Sequence, residues 1–204
     1  MTGRGTVYAV PTTRGDWVVR HFRRGGSVAS LLGDRYLVSG VPRPFQETMV
    51  SESVRGRDIP TPRVLAAAVY RAGPIYRGDL VTELVPDASE LAEVLFDGER
   101  SGLAATSDRK EALRETGTLI RLLAAAGVRH ADLNAKNVLL QWSGGSPTAY
   151  VLDLDRCKVG AEPVPVDGML RRLLRSLRKF ERRTRLQVPP AEAGLLVDAA
   201  HGRG

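Results

Sequence analysis

The sequence predicts an α+β fold, with an antiparallel sheet in the N-terminal half and a mostly helical C-terminal half. Three patterns support this prediction. Short β-prone runs separated by turn residues, with one helical segment at Arg43–Arg55, occupy residues 6–85. A helical pattern occupies residues 87–126, and an amphipathic basic segment lies in residues 168–187. The length of 204 residues suits one domain, or two small lobes that share one cleft.

The composition narrows the class of protein. Apolar residues make up 43% of the chain and charged residues 26%, as is ordinary for a globular protein. The single cysteine, Cys157, excludes an internal disulfide and a cysteine-based zinc cluster, and it suits a reducing compartment. No apolar run approaches the roughly 20 residues that span a bilayer, and residues 1–5 lack the pattern of a secretion signal. We therefore expect a cytoplasmic protein.

The net charge of +7 is concentrated in one segment. Between Gly168 and Gln187 eight basic residues stand against one acid, Glu181, so this segment carries the whole excess and the rest of the chain sums to zero. A single basic stripe on a neutral body predicts an anionic partner, either a membrane surface or a nucleic acid.

The first part of the chain has the pattern of strands and one helix. Thr6–Val10 and Trp17–Phe22 are β-prone runs bounded by glycine, proline or turn residues. Arg43–Arg55 has helical periodicity, which places Phe45 and Met49 on the packed side of the predicted helix.

A hairpin follows this helix. Val64–Tyr70 and Ile75–Val85 are β-prone and are separated by a turn at Ala72-Gly73-Pro74. The predicted organisation is an N-terminal lobe of residues 1–86 and a C-terminal lobe of residues 87–204, which together form one domain.

Residues 87–126 predict helix. Asp108 and Glu111 have the spacing of a capping box, and Gly127 is a natural helix end. One helical face would consist of Leu113, Thr116, Ile120 and Leu123. The basic segment is predicted to be the last strong helix of the chain.

The most informative stretch begins at His130. Asp132 follows this histidine by two places, Asn137 follows the aspartate by five, and a second apolar run then ends in Asp153. Kinase folds supply a catalytic base, a metal-binding asparagine and a metal-binding aspartate in this order. The ordered set in this context favours a phosphoryl-transfer site over a chance group of surface residues.

Each residue of the set has a chemical role in phosphoryl transfer, which requires alignment and charge neutralisation. Asp132 can accept or orient the hydroxyl proton of an acceptor. Asn137 and Asp153 offer the oxygen ligands that Mg²⁺ prefers, and Asp153 can bridge the ion to nucleotide phosphates. We expect His130 to be structural, packed behind the loop and hydrogen bonded to the backbone.

These residues resemble the 3-deoxy-D-manno-octulosonic acid (Kdo) kinases of the lipopolysaccharide kinase family. The resemblance extends from about residue 3 to residue 179 and rests on His130–Asn137, Val151–Arg156, Val18–Gly26, Gly33–Leu37, Arg43–Glu47 and Ile59–Arg63. It implies a small two-lobed protein-kinase-like fold and an ATP- and Mg²⁺-dependent enzyme. The implied acceptor is a Kdo hydroxyl on a lipid A precursor, at the cytoplasmic face of the bacterial inner membrane.

The resemblance also assigns residues. It implies that Asp132 is the catalytic base and that Asn137 and Asp153 are metal ligands. Arg20 stands at the third-strand position where kinases usually have lysine, and Glu47 matches its acidic partner. A guanidinium can bind phosphate in bidentate fashion, but its geometry differs from that of an ammonium group.

Three further positions complete the predicted nucleotide site. Gly3 and Gly5 could be a short phosphate-covering loop, with a plain turn as the alternative, and Glu83 lies on the strand that would lead into the interlobe hinge. Asp155 replaces the glycine of the usual Asp-Phe-Gly, and either a metal contact or a structural role suits it.

The C-terminal segment favours a glycolipid acceptor over a protein. Only 12 residues, Arg156–Asp167, separate the second acidic motif from the basic helix, and no Ala-Pro-Glu follows, so a peptide-docking activation segment does not fit. An apolar stripe is formed by Leu170, Leu173, Leu174, Leu177 and Phe180. Contacts to the anionic acceptor or to an anionic membrane are expected from Arg171, Arg172, Arg175 and Arg178.

Four alternatives remain at this point. The chain could be an aminoglycoside- or choline-type small-molecule kinase, or a kinase for another lipopolysaccharide core sugar. It could be a pseudokinase, because Arg20 replaces the usual lysine, or a non-enzymatic nucleic-acid binder that uses the basic helix. The last alternative leaves Asp132, Asn137 and Asp153 unexplained, so we expect no nucleic-acid partner, and we expect a monomer.

Overall fold

The structure is a computed structural model that describes residues 7–13, 15–23, 33–98, 106–143 and 146–203. Gly3 and Gly5, the two predicted phosphate-covering glycines, lie outside these residues. The chain divides into two compact units: one comprises Met1–Glu52 and Pro62–Leu84, and the other comprises Ser53–Thr61 and Val85–Gly204. The lobe boundary that the sequence suggests, between residues 86 and 87, stays a prediction.

The first unit contains a five-stranded antiparallel sheet. Its strands are β1 (Val7–Val10), β2 (Trp17–His21), β3 (Tyr36–Leu37), β4 (Val64–Ala72) and β5 (Ile75–Glu83). Strand β5 is central, because β2, β3 and β4 all pair with it, and β1 pairs with β2. The predicted hairpin is confirmed as β4–β5. Gly73 in its turn has a φ of +59°, which glycine adopts without steric cost.

One face of this sheet carries a small aromatic core. Phe22, Tyr36, Tyr76 and Leu80 are buried together, and the rings of Tyr36 and Tyr76 stack with centroids 5.4 Å apart. Aromatic side chains bury much apolar area per residue, which suits a unit with few buried positions.

The predicted helix Arg43–Arg55 is confirmed as α1, but its predicted packed side is wrong. Phe45 and Met49 are 41% and 63% exposed. The buried face instead consists of Pro44, Glu47, Ser51 and Val54. This orientation lets the Glu47 carboxylate bond to the Arg20 guanidinium, so a charged contact decides which face is buried.

The second unit contains two smaller antiparallel sheets. Strands β6 (Ala88–Glu90), β8 (Val138–Ser143) and β9 (Ser146–Val151) form one in the order β6-β8-β9, and β7 (Val128–His130) pairs with β10 (Cys157–Val159). Helix was predicted for residues 88–90, and this is wrong. Their main chain pairs with residues 139–141 of β8. This partner is distant in the sequence, so the local pattern of apolar residues could not predict the pairing.

Among the described residues, the second unit also contains four helices: α2 (Leu91–Phe96), α3 (Thr106–Ala125), α4 (Asp167–Thr184) and α5 (Pro190–Ala200). The predicted buried face of α3 is confirmed, since Leu113, Thr116, Ile120 and Leu123 are all fully buried. The predicted capping box is wrong, because α3 begins at Thr106 and Asp108 therefore lies inside its first turn. Gly127 ends the helix with a φ of +70°, as expected.

The basic helix α4 is amphipathic, as the sequence predicted. The sequence also predicted that α4 would be the last strong helix, but another helix comes after it. Its buried side chains are Met169, Leu170, Leu173 and Leu177, and Phe180 stacks on Phe96 of α2 at 5.5 Å. Helix α5 follows it, with Pro190 in its first turn, a position that proline favours. Among the described residues, no helix combines the length and apolar character needed to cross a membrane.

The contact between α3 and α5 generates a stability prediction. A Cβ on Gly117 of α3 would lie 2.5 Å from the carbonyl oxygen of Leu196 and 3.0 Å from the main-chain nitrogen of Ala200. Overpacking of this kind costs about 1–3 kcal/mol, and the higher helix propensity of alanine offsets about 1 kcal/mol of that cost. Gly117→Ala should therefore be destabilised by up to about 2 kcal/mol. Urea unfolding measures this change.

Gly194→Ala in α5 is the matched control, because nothing lies within 4 Å of its added methyl group. This variant should be stabilised by about 0.4–1 kcal/mol, since alanine restricts the unfolded chain. A Gly117→Ala protein that gains stability as Gly194→Ala does would contradict the packing described for α3 and α5.

Candidate active site

The loop between β7 and β8 brings two of the predicted site residues together. The side-chain amide of Asn137 donates to the main-chain carbonyl of Asp132 at 3.0 Å, and the amide of Asn134 donates to the same carbonyl at 2.9 Å. With its nitrogen held in this way, the Oδ1 atom of Asn137 is the atom that a hard cation would use.

Asn134 shapes this loop and was missed by the sequence analysis. Its Oδ1 accepts from the N–H of Lys136 at 3.0 Å, and its carbonyl accepts from the N–H of Asn137 at 2.9 Å. An asparagine that bonds the backbone two residues later is the signature of an Asx turn. The His-x-Asp-x-Asn spacing is the signal that could have identified it.

Asp153 follows β9 and is tied to the loop through its neighbour. The N–H of Leu152 donates to the Asn137 carbonyl at 2.9 Å. Asp153 has φ +60° and ψ +57°, a left-handed conformation that aspartate tolerates better than most residues and that occurs often at functional sites. One carboxylate oxygen of Asp153 lies within 4.8 Å of one of Asp155, which is itself buried. These oxygen donors fit a divalent cation such as Mg²⁺.

His130 connects the loop to the strand that precedes Asp153. Its ring is fully buried; Nε2 donates to the Leu152 carbonyl at 2.9 Å, and Nδ1 accepts from the N–H of Asp132 at 3.2 Å. Only the neutral ring can make both bonds. Burial lowers the pKa of His130, against opposing contributions from the Leu152 carbonyl and the nearby aspartates. The structural role expected from the sequence agrees with these contacts.

A second support for Asp153 comes from the segment before β4. The hydroxyl of the buried Thr61 donates to the carbonyl of Val151 at 2.8 Å, and the N–H of Val151 donates to the carbonyl of Pro60 at 2.9 Å. Pro60 and Thr61 therefore hold the last residue of β9. Proline disfavours helix at the residue before it, which suits the extended chain at this point.

In the first unit, the structure joins Arg20 to Glu47. Their side chains form an ion pair, the Glu47 carboxylate is nearly buried, and the Arg20 guanidinium lies 4.7 Å from the centroid of the Phe22 ring. Glu83 is placed differently. It ends β5, its side chain is half exposed, and its carboxylate lies 3.6 Å from the Arg63 guanidinium.

The predicted contact arginines lie on the outer face of α4. Arg171, Arg172, Arg175 and Arg178 are exposed, as are the other four basic residues from Lys179 to Arg185. Within the described part of the chain, none of these eight cations forms an ion pair with an acid. At about 100° per residue, those within the helix cover a continuous sector of roughly 140°.

Comparison with known proteins gives a consistent result. Residues 1–192 match the model of the lipopolysaccharide kinase (Kdo/WaaP) family. The 3-deoxy-D-manno-octulosonic acid kinase of Vibrio cholerae serotype O1 is 34% identical over 180 residues, which are 87% of this chain and 72% of that protein. The enzyme of the same name from Haemophilus influenzae strain PittEE is 31% identical over 208 residues, covering 98% of this chain and 82% of that protein.

A solved structure supports the fold. The chain resembles a structure described as WaaP in complex with acyl carrier protein, with a TM-score of 0.64 and 15% sequence identity. The match covers 100% of this chain and 77% of the other. Together with the antiparallel sheets and helices described above, this likeness confirms the predicted protein-kinase-like α+β fold.

The buried His130 generates a pH prediction. The pKa of His130 is lowered in the folded protein. Once the pH falls below about 6.5, the ordinary histidine pKa, the unfolded chain therefore binds more protons than the folded protein does. This contribution to the free energy of unfolding should be fully present above that pH and should be lost progressively as the pH falls toward the lowered pKa. Urea unfolding at a series of pH values measures the loss.

Two variants locate the effect. His130→Gln should be less stable at neutral pH but should lose this component of the pH dependence, whereas His201→Gln, at the exposed end of α5, should retain it. Parallel stability profiles for the parent and His130→Gln between neutral and acidic pH would contradict the assignment.

Proposed function

The chain belongs to the lipopolysaccharide kinase (Kdo/WaaP) family and is a kinase, and we propose that it transfers a phosphoryl group from ATP to a hydroxyl of Kdo on a lipid A precursor. One observation carries the proposal. The loop that holds Asp132 and Asn137 is hydrogen bonded to the strand end before Asp153 by both His130 and the Asn137 carbonyl. A fixed relation between these two segments supports the proposal, because phosphoryl transfer depends on the alignment of the groups that they carry.

Asp132 is proposed to act on the acceptor. The hydroxyl oxygen attacks the γ-phosphorus of ATP, its proton passes to or is oriented by the Asp132 carboxylate, and ADP leaves. The position of Asp132 is supported at both its main-chain groups, since its N–H donates to His130 and its carbonyl accepts from Asn134 and Asn137. These bonds hold the main chain of Asp132 on both sides of its side chain.

Asn137 and Asp153 are proposed to hold Mg²⁺. Bound there, the ion would neutralise charge on the nucleotide phosphates. The amide oxygen and the carboxylate are hard donors, and the buried Asp155 carboxylate adds a further negative charge near Asp153. In this role Asp155 would strengthen the site without replacing either proposed ligand.

The nucleotide is proposed to contact the first unit. The bond from Glu47 orients the Arg20 guanidinium, whose planar fork can then bind a phosphate group in bidentate fashion. This arrangement favours an active kinase over a pseudokinase, because the arginine keeps the acidic partner expected of the usual lysine. Gly3, Gly5 and Glu83 remain proposed nucleotide contacts on the basis of their positions in the sequence.

The acceptor is proposed from the names of the relatives and from the charge of α4. Proteins named 3-deoxy-D-manno-octulosonic acid kinase are about a third identical to this chain over most of its length. Kdo is an acid, so its carboxylate complements an exposed basic helix. Lipid-linked Kdo also suits a kinase with only a short segment between Asp155 and α4.

We further propose that the outer face of α4 rests on the cytoplasmic face of an anionic inner membrane. Exposed arginines near such a surface contribute about 1 kcal/mol each. Arg171, Arg172, Arg175 and Arg178 lie in one sector of the helix, so they can meet a flat surface together. Peripheral binding of this kind needs no spanning helix.

The catalytic proposal predicts that Asp132→Ala and Asp153→Ala abolish transfer. Loss of a general base alone lowers kcat by about 10²–10⁴-fold, and loss of a metal carboxylate removes charge neutralisation of the phosphates. The assay combines ATP, Mg²⁺ and a Kdo-bearing lipid A precursor, and mass spectrometry detects the addition of one phosphate.

Asp198→Asn is the control, since its exposed carboxylate on α5 lies 3.3 Å from the Arg203 guanidinium, away from the proposed catalytic residues in the sequence. It should retain full activity. Near-normal activity of Asp132→Ala would refute the assigned role. Phosphorylation of a small soluble alcohol by the parent, with no mass change in the glycolipid, would instead favour the small-molecule kinase alternative.

The membrane proposal predicts that replacing Arg171, Arg175 and Arg178 with alanine weakens binding to vesicles that contain phosphatidylglycerol. Three lost contacts of about 1 kcal/mol each correspond to roughly a hundredfold lower partitioning. Sedimentation with vesicles measures binding, and pure phosphatidylcholine vesicles report the uncharged background.

The matched control replaces Arg71, Arg129 and Lys158, three exposed cations outside α4, and removes the same total charge. It should bind nearly as well as the parent. Equal weakening by both triple variants would show that net charge, and not the face of α4, governs binding.

A further inference from the structure

The loop that carries Asp132 and Asn137 is attached to two helices at its midpoint, Ala135. The N–H of Ala135 donates to the hydroxyl oxygen of Ser176 on α4 at 3.2 Å. Its carbonyl accepts from the N–H of Ala92, in the first turn of α2, at 3.0 Å. Ala135 is fully buried, so water cannot replace Ser176 or Ala92 as its hydrogen-bond partner.

The remaining hydrogen bonds within the loop have a different effect. Those from Asn134 and Asn137 to the Asp132 carbonyl join residues of the loop to one another. They set the local shape of the loop, but they do not set where the Asp132 carboxylate lies relative to the helices. That position depends on the contacts between the loop and other elements: its two ends, Ala135, the buried Leu133, and Lys136, whose ammonium group lies 3.7 Å from the Glu90 carboxylate.

Helix α4 is a firm support for this midpoint. Leu173 and Leu177, on either side of Ser176 along the chain, are 0% and 3% exposed, so the helix cannot shift without disturbing a close-packed core. Two turns earlier, the sulfur of Met169 accepts from the N–H of His130 at 3.5 Å. The same helix therefore contacts the active-site segment both before and after Asp132.

We propose that Ser176 is a positioning residue for phosphoryl transfer. Its hydroxyl holds the Ala135 amide and, through the loop, the Asp132 carboxylate at the place that the reaction requires. This inference rests on the catalytic role proposed above for Asp132. A displacement of about 1 Å at a reacting group can cost on the order of a hundredfold in rate, so one bond at the loop midpoint is able to influence kcat.

The test compares Ser176→Ala with the parent in steady-state kinetics and in amide hydrogen exchange of residues 131–137. We expect kcat to fall about tenfold while the KM for ATP stays within about twofold, because the loop moves and the proposed nucleotide contacts in the first unit do not. Exchange at the Ala135 amide should become about tenfold faster or more, since its acceptor is gone. Ser176→Thr, which keeps the hydroxyl, should restore both quantities.

Thr184→Ala is the matched control on the same helix. The Thr184 hydroxyl donates to the Phe180 carbonyl at 3.0 Å and accepts from the Leu186 N–H at 3.3 Å, so its loss affects only the end of α4. It should leave kcat and the exchange at Ala135 unchanged even if Tm falls.

Specific outcomes overturn the inference. If Ser176→Ala keeps the parent's kcat but has a lower Tm, Ser176 contributes only to stability and the inference is wrong. If the exchange rate of the Ala135 amide is unchanged, the hydrogen bond from Ala135 to Ser176 does not hold the loop. If Ser176→Ala does not fold, Ser176→Cys replaces it in the test, because the thiol has a similar size but is a weaker hydrogen-bond acceptor. This variant must also lower kcat, by a smaller factor. Activity retained by Asp132→Ala refutes the proposed function separately, since the exchange measurement does not depend on activity.

Discussion

The neutral imidazole of His130 joins the two segments that carry the proposed catalytic groups. Its Nδ1 accepts from the backbone of Asp132, and its Nε2–H donates to the carbonyl of Leu152, directly before Asp153. A protonated ring has no acceptor, so this bridge exists only while the ring is uncharged. Burial excludes water as a substitute and lowers the pKa of the imidazole. The charge state of one buried side chain thus holds the loop and the strand end together.

The two faces of helix α4 have different surroundings, and a different function is proposed for each. The inner face is packed, and Met169 and Ser176 accept hydrogen bonds from the segment that contains Asp132. The outer face is free of packing constraints, so it can carry a dense row of arginines without cost to the core. The proposed membrane or acceptor surface and the support of the catalytic loop therefore belong to one rigid element.

The sequence alone supports predictions about residues that lie close together in the chain. His130, Asp132, Asn137 and Asp153 lie on one loop and one hairpin, whose geometry follows from local spacing and from the apolar runs that become β8 and β9. The buried face of α3 could also be predicted from the sequence, because a long helix repeats its apolar pattern over several turns. The pairing of Arg20 with Glu47 was inferred from family resemblance, and the structure contains that contact.

The sequence by itself determined the α+β class, the main helices and hairpins, and the order of the proposed catalytic residues, because each of these depends on neighbours within a few turns or one hairpin. Tertiary structure decided which face of α1 is buried, that residues 88–90 form a strand, and that Thr61 and Ser176 support the site. In each case the deciding partner is distant in the chain: Arg20 for Glu47, β8 for residues 88–90, and Val151 and Ala135 for the two hydroxyls. Hydrogen bonds and ion pairs between such partners form only when the chain has folded, so no local pattern of residues predicts them.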